Sequence, residues 1–134
     1  MDVFSSRRRS EIMRRVRSKD TRPEIIVRKL IYRAGYRYRI HLKTVPGRPD
    51  IALRARKKAI FVNGCFWHGH VCPAGSLPKS NQTYWRAKQS RNAARDQENL
   101  RLLKKTGWSA LTIWECQMKD LKKLSDRLQR FLNR

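Results

Sequence analysis

Ile60-Phe61-Val62-Asn63-Gly64-Cys65-Phe66-Trp67-His68-Gly69-His70-Val71-Cys72 runs from a strand signal, through a turn, into the densest group of reactive side chains in the sequence. Ile60, Phe61 and Val62 have the β-branched and aromatic character of a buried strand, and Asn63-Gly64 breaks it. Two cysteines, two histidines, a Phe and a Trp then fall within eight residues. Thiolate and neutral imidazole are zinc's preferred donors, which makes Cys65, His70 and Cys72 candidate ligands. Cys116 lies far along the chain but directly after a second strand-like run, Leu111-Thr112-Ile113-Trp114-Glu115, so a fold could bring it in as a fourth. The C-x4-H-x-C spacing is not a common zinc-finger spacing, and free cysteine is often a small buried hydrophobe. The stretch alone therefore leaves metal ligation and plain burial both open. A disulfide is disfavoured, because the cysteine count is three and the basic N-terminal residues lack an apolar signal region. That favours a reducing, cytoplasmic setting. His68 is left outside the ligand set, and Phe66 and Trp67 sit on a loop too tight to bury both rings easily.

Upstream of this stretch, Ile51-Ala52-Leu53-Arg54-Ala55 reads as another strand, joined to it by a charged turn. Asp50 stands at its start, after the turn Thr44-Val45-Pro46-Gly47-Arg48-Pro49. An acid leading one strand and a histidine-bearing loop trailing its neighbour can converge at one end of a sheet. Tyr36 to Leu42 alternates aromatic or apolar with basic residues, as a half-buried strand does, and His41 at its end reads as an exposed loop histidine. Before it, Thr21-Arg22-Pro23-Glu24 is a helix start: Thr21 can cap, Pro23 suits the first turn, and Glu24 completes a capping box. The helix continues with Ile26, Val27, Leu30, Ile31 and Ala34 on one face and stops at Gly35. That gives Glu24 a structural explanation ahead of any catalytic one. Residues 1–20 form a basic arm suited to DNA phosphates or a minor groove.

Downstream, a long helix is expected from about Gln82 to Thr106, with Ala87, Ala94, Leu100 and Leu103 as its apolar positions and Trp85 near its start. Gly107 ends it, Trp108 to Cys116 forms a fourth strand, and Trp108 and Trp114 read as core. A last amphipathic helix, about Lys119 to Asn133, buries Leu121, Leu124, Leu128 and Phe131. The order is helix, three strands, helix, strand, helix, which predicts an α/β sandwich with a mixed central sheet. No internal repeat divides residues 21–134, so one domain follows the arm.

The chain carries 33 Lys+Arg against 10 Asp+Glu, a formal charge of +23. Self-repulsion of that size calls for a polyanion, and nucleic acid is the common one for such a domain. No apolar run approaches membrane-spanning length, and the basic residues are not gathered on one amphipathic helix, which argues against membrane-surface binding.

These motifs together resemble the very-short-patch mismatch repair (Vsr) endonucleases of the PD-(D/E)xK nuclease superfamily. The resemblance rests on Thr21 to Glu24, Pro46 to Asp50, Ile60 to Cys72, Tyr84-Trp85, and Gly107-Trp108 through Trp114-Glu115-Cys116. It implies a restriction-endonuclease-like three-layer sandwich with a structural zinc site. It also implies a bacterial, cytoplasmic nickase, working on the nucleoid. Such an enzyme cuts double-stranded DNA 5′ of the thymine in T:G mismatches left by 5-methylcytosine deamination, using Mg²⁺. By the same resemblance, Asp50 and the backbone carbonyl of Val62 hold Mg²⁺, with Glu24 beside them, and His68 serves the attacking water or leaving group. Zn²⁺ falls to Cys65, His70, Cys72 and Cys116. Phe66, Trp67 and Trp85 wedge beside the mismatch, and Arg7, Arg8, Arg14 and Arg48 contact DNA. Asn63 departs from the best-known members, which have a second histidine there; an amide cannot shuttle a proton at neutral pH. A cytosine-5 methyltransferase and mismatch-repair proteins are the expected functional companions, and a monomer the expected state. Two alternatives stay open: a non-catalytic zinc-stabilised DNA-binding module, and a nuclease indifferent to mismatches.

Overall fold

A computed structural model describes residues 21–68 and 70–134. The basic arm, with Arg7, Arg8 and Arg14, lies outside the described residues. Helix α1, Arg22–Arg33, begins where Thr21 Oγ1 accepts a hydrogen bond from the Glu24 N–H at 3.4 Å. It ends in a Schellman motif: Gly35, at φ 95°, donates to the Tyr32 carbonyl, and Tyr36 donates to that of Ile31. Strand β1 is only Arg39–Ile40, β2 is Ile51–Leu53, β3 is Lys58–Asn63 and β4 is Ser109–Trp114. Helix α2, Gln82–Lys105, crosses between β3 and β4, and α3, Leu121–Asn133, closes the described fold.

The four strands lie in chain order across one sheet. β1 and β2, and β2 and β3, run antiparallel, while β3 and β4 run parallel in a six-residue register from Lys58↔Ser109 to Asn63↔Trp114. The sheet is thus mixed, as the element order predicts. Alternation along the strands sorts side chains onto two faces. Ile60, Val62, Leu111 and Ile113 meet Val27 and Ile31 of α1 and Leu124, Leu128, Phe131 and Leu132 of α3. On the other face Ala59, Phe61 and Ala110 meet Leu103 of α2, Val45 and Trp108. The result is a helix–sheet–helix sandwich compatible with the expected nuclease architecture.

Four expectations need correction. The half-buried strand over Tyr36–Leu42 shrinks to two exposed residues at the sheet edge, because Tyr36 and Tyr38 pack on the core from irregular backbone. In α3, Leu121 is 47 % exposed and Leu132 is buried in its stead. In α2, Ala87 and Ala94 are exposed and only Leu103 is fully buried. Its inward positions are Trp85, Gln89, Asn92, Asp96, Asn99 and Leu103, spaced alternately by four and three; that face is polar because it packs on loop backbone. Trp114 is half-buried, with its ring stacked on His70 at 4.1 Å.

Candidate active site

Asp50 is delivered by a turn that α2 presses from above. Gly47 sits at φ 81°, and a Cβ there would come within 2.9 Å of Asn99 Cβ and 3.1 Å of Phe61 Cζ. Only glycine fits that approach. The Asp50 Oδ2 accepts the Val62 N–H at 2.6 Å, which fixes the carboxylate against the end of β3. Burial pushes its carboxyl up from 3.8 to about 6; the Val62 N–H opposes this, Glu24 adds to it, and His41 and Arg28 oppose it.

Glu24 is 2 % exposed and faces Asp50 from α1, where a capping role alone would leave it at the surface. Its Oε2 accepts from Arg28 Nη2 at 3.1 Å and lies 3.8 Å from His41 Nε2. Glu24, His41 and Asp50 each place a donor atom within 4.8 Å of the others. His41 is therefore half-buried in the acidic cluster, contrary to the exposed loop residue expected of it. The antiparallel register explains the placement. Ile40 pairs with Ile51, so the next residue on each strand end, His41 and Asp50, meet, with the His41 N–H reaching the Asp50 carbonyl at 3.4 Å.

A second cluster joins Cys65, His70, Cys72 and Cys116, whose donor atoms also lie within 4.8 Å of one another. Parallel pairing of β3 with β4 puts both strand ends, and so Cys65 and Cys116, at the same edge. Cys116 Sγ and His70 Nδ1 are 3.6 Å apart. A thiolate and an imidazole on a tetrahedral zinc are separated by about 3.6 Å, from bond lengths of about 2.3 and 2.0–2.1 Å. The donor set and its spacing fit that ion. With no metal, burial pushes the Cys65 thiol up to about 12; the Cys116 backbone N–H opposes the rise, and the Cys72 and Cys116 thiols reinforce it.

The loop between these clusters is held by α2. Gln89 Nε2 donates to the Phe66 carbonyl at 2.6 Å, Asn92 Nδ2 to the Trp67 carbonyl at 2.7 Å, and His68 Nδ1 pairs with Asp96 Oδ2 at 2.5 Å. Phe66, Trp67 and Trp85 pack edge to face with centroids 5.3, 5.2 and 5.9 Å apart. His68, Asp96, Asn63 and Trp114 line a common recess of about 280 Å³. Arg48 is exposed on its turn, at φ 46°. Sequence reasoning missed His41, Arg28, Gln89, Asn92 and Asp96. The last three were signalled by their 3–4 spacing from Trp85 on a helix too poor in apolar residues to bury a conventional stripe.

Among the described residues, no helix is long and apolar enough to cross a membrane. The family described as DNA mismatch endonuclease Vsr matches residues 1–74. The type II nicking enzyme V.XorIIP of Xanthomonas oryzae is 47 % identical over 132 residues, covering 98 % of this chain and 97 % of that one. The type II nicking enzyme V.NmeAIP of Neisseria meningitidis is 40 % identical, over 98 % and 94 %. DNA mismatch endonuclease Vsr of Escherichia coli is 34 % identical, over 93 % and 80 %. With this agreement along nearly the whole chain, the protein belongs to the Vsr family of DNA mismatch endonucleases, and it is a nuclease.

Proposed function

We propose that the chain nicks double-stranded DNA 5′ of the thymine of a T:G mismatch, in a reaction that depends on Mg²⁺ at Asp50. The observation that carries the reading is the pair of carboxylates, buried Glu24 and half-buried Asp50, converging within 4.8 Å at one end of the sheet. Two carboxylates this close repel each other and call for a cation beyond Arg28, which already pairs with Glu24, and oxygen donors suit Mg²⁺. Asp50 and the Val62 carbonyl would hold it, with Glu24 beside them. When bound, Mg²⁺ neutralises the phosphate and orients the displacement.

The chain's own residues do the rest. Carboxylate oxygens accept, so Asp96 takes the Nδ1–H of His68 and leaves Nε2 with its lone pair facing outward. That nitrogen can accept a proton from the attacking water or return one to the leaving oxygen. Asn63 shares the recess and positions by hydrogen bonding without moving protons. Cys65, His70, Cys72 and Cys116 would hold Zn²⁺ in a structural role and fix the loop that aims His68. The Phe66–Trp67–Trp85 block enters the stack beside the mismatch, where unstacking is least costly. Arg48 and the arm residues Arg7, Arg8 and Arg14 contact phosphates. One nick needs one active site, so the working unit is a monomer. Its lesion makes a cytosine-5 methyltransferase the natural companion.

The test uses end-labelled duplexes with T:G, C:G or T:A at one position, in varied flanking sequence, with Mg²⁺ or EDTA. Nicking beside the thymine of T:G, only with Mg²⁺, is the expected result. Tight T:G binding without cleavage establishes the non-catalytic module in its place, and equal cleavage of matched duplexes removes the mismatch specificity.

A further inference from the structure

The acidic cluster contains a nitrogen donor whose lone pair already points inward. Arg28 Nη2 lies 3.2 Å from His41 Nε2, within hydrogen-bond range, whereas Glu24 Oε2 is 3.8 Å from the same nitrogen, beyond it. Guanidinium only donates, so Nε2 accepts, and its lone pair is directed at the guanidinium that also donates to Glu24, inside a cluster whose donor atoms, one from Asp50 included, lie within 4.8 Å of one another. Arg28 Nη2 is also 3.1 Å from Glu24 Oε2. A cationic nitrogen thus stands between the two donors. Donors on one six-coordinate ion with bonds of about 2.1 Å lie about 3.0 Å apart when adjacent and about 4.2 Å when opposite. The observed 3.8 Å lies between the two values, so a small side-chain adjustment brings both donors onto one ion.

Resting on the proposed metal-dependent reaction, we propose that His41 Nε2 is a third protein donor to the divalent ion at Asp50, with Arg28 keeping its place until the ion arrives. A nitrogen donor moves a site toward transition metals, since imidazole favours them over Mg²⁺. The site should therefore bind Mn²⁺ and Co²⁺ more tightly than an all-oxygen centre of the same charge. His41 sits at φ 51°, a conformation that Asn also tolerates, so His41→Asn leaves the backbone undisturbed.

The experiment is pulsed electron paramagnetic resonance on the zinc-loaded full chain with Mn²⁺ as probe, paired with calorimetric Mn²⁺ and Mg²⁺ titrations. Wild type should show the nitrogen coupling of a bound imidazole. His41→Asn should lose it and weaken Mn²⁺ binding by about tenfold or more, with a smaller loss for Mg²⁺. His41→Gln, which offers an oxygen at similar reach, should lose the coupling yet retain more Mg²⁺ affinity. A wild-type spectrum without nitrogen, or a coupling that persists in both variants, overturns the proposal. T:G nicking in Mg²⁺ is scored separately on the same preparations. Its failure with the nitrogen coupling present removes the proposed substrate and leaves His41 as a ligand.

Discussion

Ionised Asp50 is held against its surroundings: a carboxyl pushed up to about 6 by burial pays for its charge at neutral pH until a cation arrives. Because the folded value lies above the ordinary 3.8, this penalty is absent at low pH, grows as pH rises from about 3.8 to about 6, and holds its full size above that. Asp50→Asn should therefore raise the stability of the Mg²⁺-free protein at pH 8 by on the order of 2 kcal/mol. The gain should vanish near pH 4, as read by thermal melts across that range. The same variant should abolish nicking while mismatch binding, measured by gel shift, stays largely intact. At His68, the proposed proton acceptor, Asp96→Asn keeps the shape but lets the amide favour the wrong imidazole tautomer. Nicking should fall by about 10²-fold or more with zinc content unchanged. Combining it with His68→Ala should cost little beyond His68→Ala alone, because the two act as a unit. The grouping of Cys65, His70, Cys72 and Cys116 was legible because those residue types are chemically committed, whereas Glu24 read locally as a cap and its place beside Asp50 came from the family resemblance. His41 was not legible, because its role comes from a strand register that no local motif states.

Each helix has one buried face, and the two that were misread fail for different physical reasons. In α3 the heptad pattern was sound, but the first leucine falls outside the sheet's footprint and Leu132 takes the core. In α2 the buried face carries Gln89, Asn92 and Asp96, so apolar counting pointed to the solvent side. Strand pairing fared better: the runs at Ile51–Leu53 and Lys58–Asn63 are adjacent and largely buried, the second and fourth strands are each two to three residues shorter than expected, and the edge strand was the most overdrawn. Lys58 adds an interaction that no pattern would reveal. It is buried on β3, and its ammonium donates to the carbonyls of Phe131 and Arg134 at the end of α3. A cation there satisfies carbonyls that the helix leaves open and complements its dipole. Lys58→Met should cost about 1–2 kcal/mol and speed amide exchange in the last turn of α3 ahead of the sheet. Uniform protection along α3 in the variant would contradict that role.

The molecule as a whole is a basic body with four metal-type donors gathered at one end of its sheet. Cys116→Ser should release zinc and lower the melting temperature by several degrees, since binding energy at such a site is folding energy. Unchanged zinc content would remove Cys116 from the set. Zinc must also displace the proton of a thiol held near 12, so its affinity should fall continuously with pH across the whole neutral and acidic range. Residues 1–20 carry seven of the lysines and arginines. Deleting them should flatten the salt dependence of DNA binding. The three-point grip of α2 on the aromatic loop has a mechanical corollary. Carbonyls pinned from a helix leave the ring block little freedom to adapt, so in the encounter the duplex must do the yielding. Cutting should then be fastest where the steps flanking the lesion are soft, such as pyrimidine–purine steps, and slowest in stiff A-tracts, even at base pairs that no side chain touches.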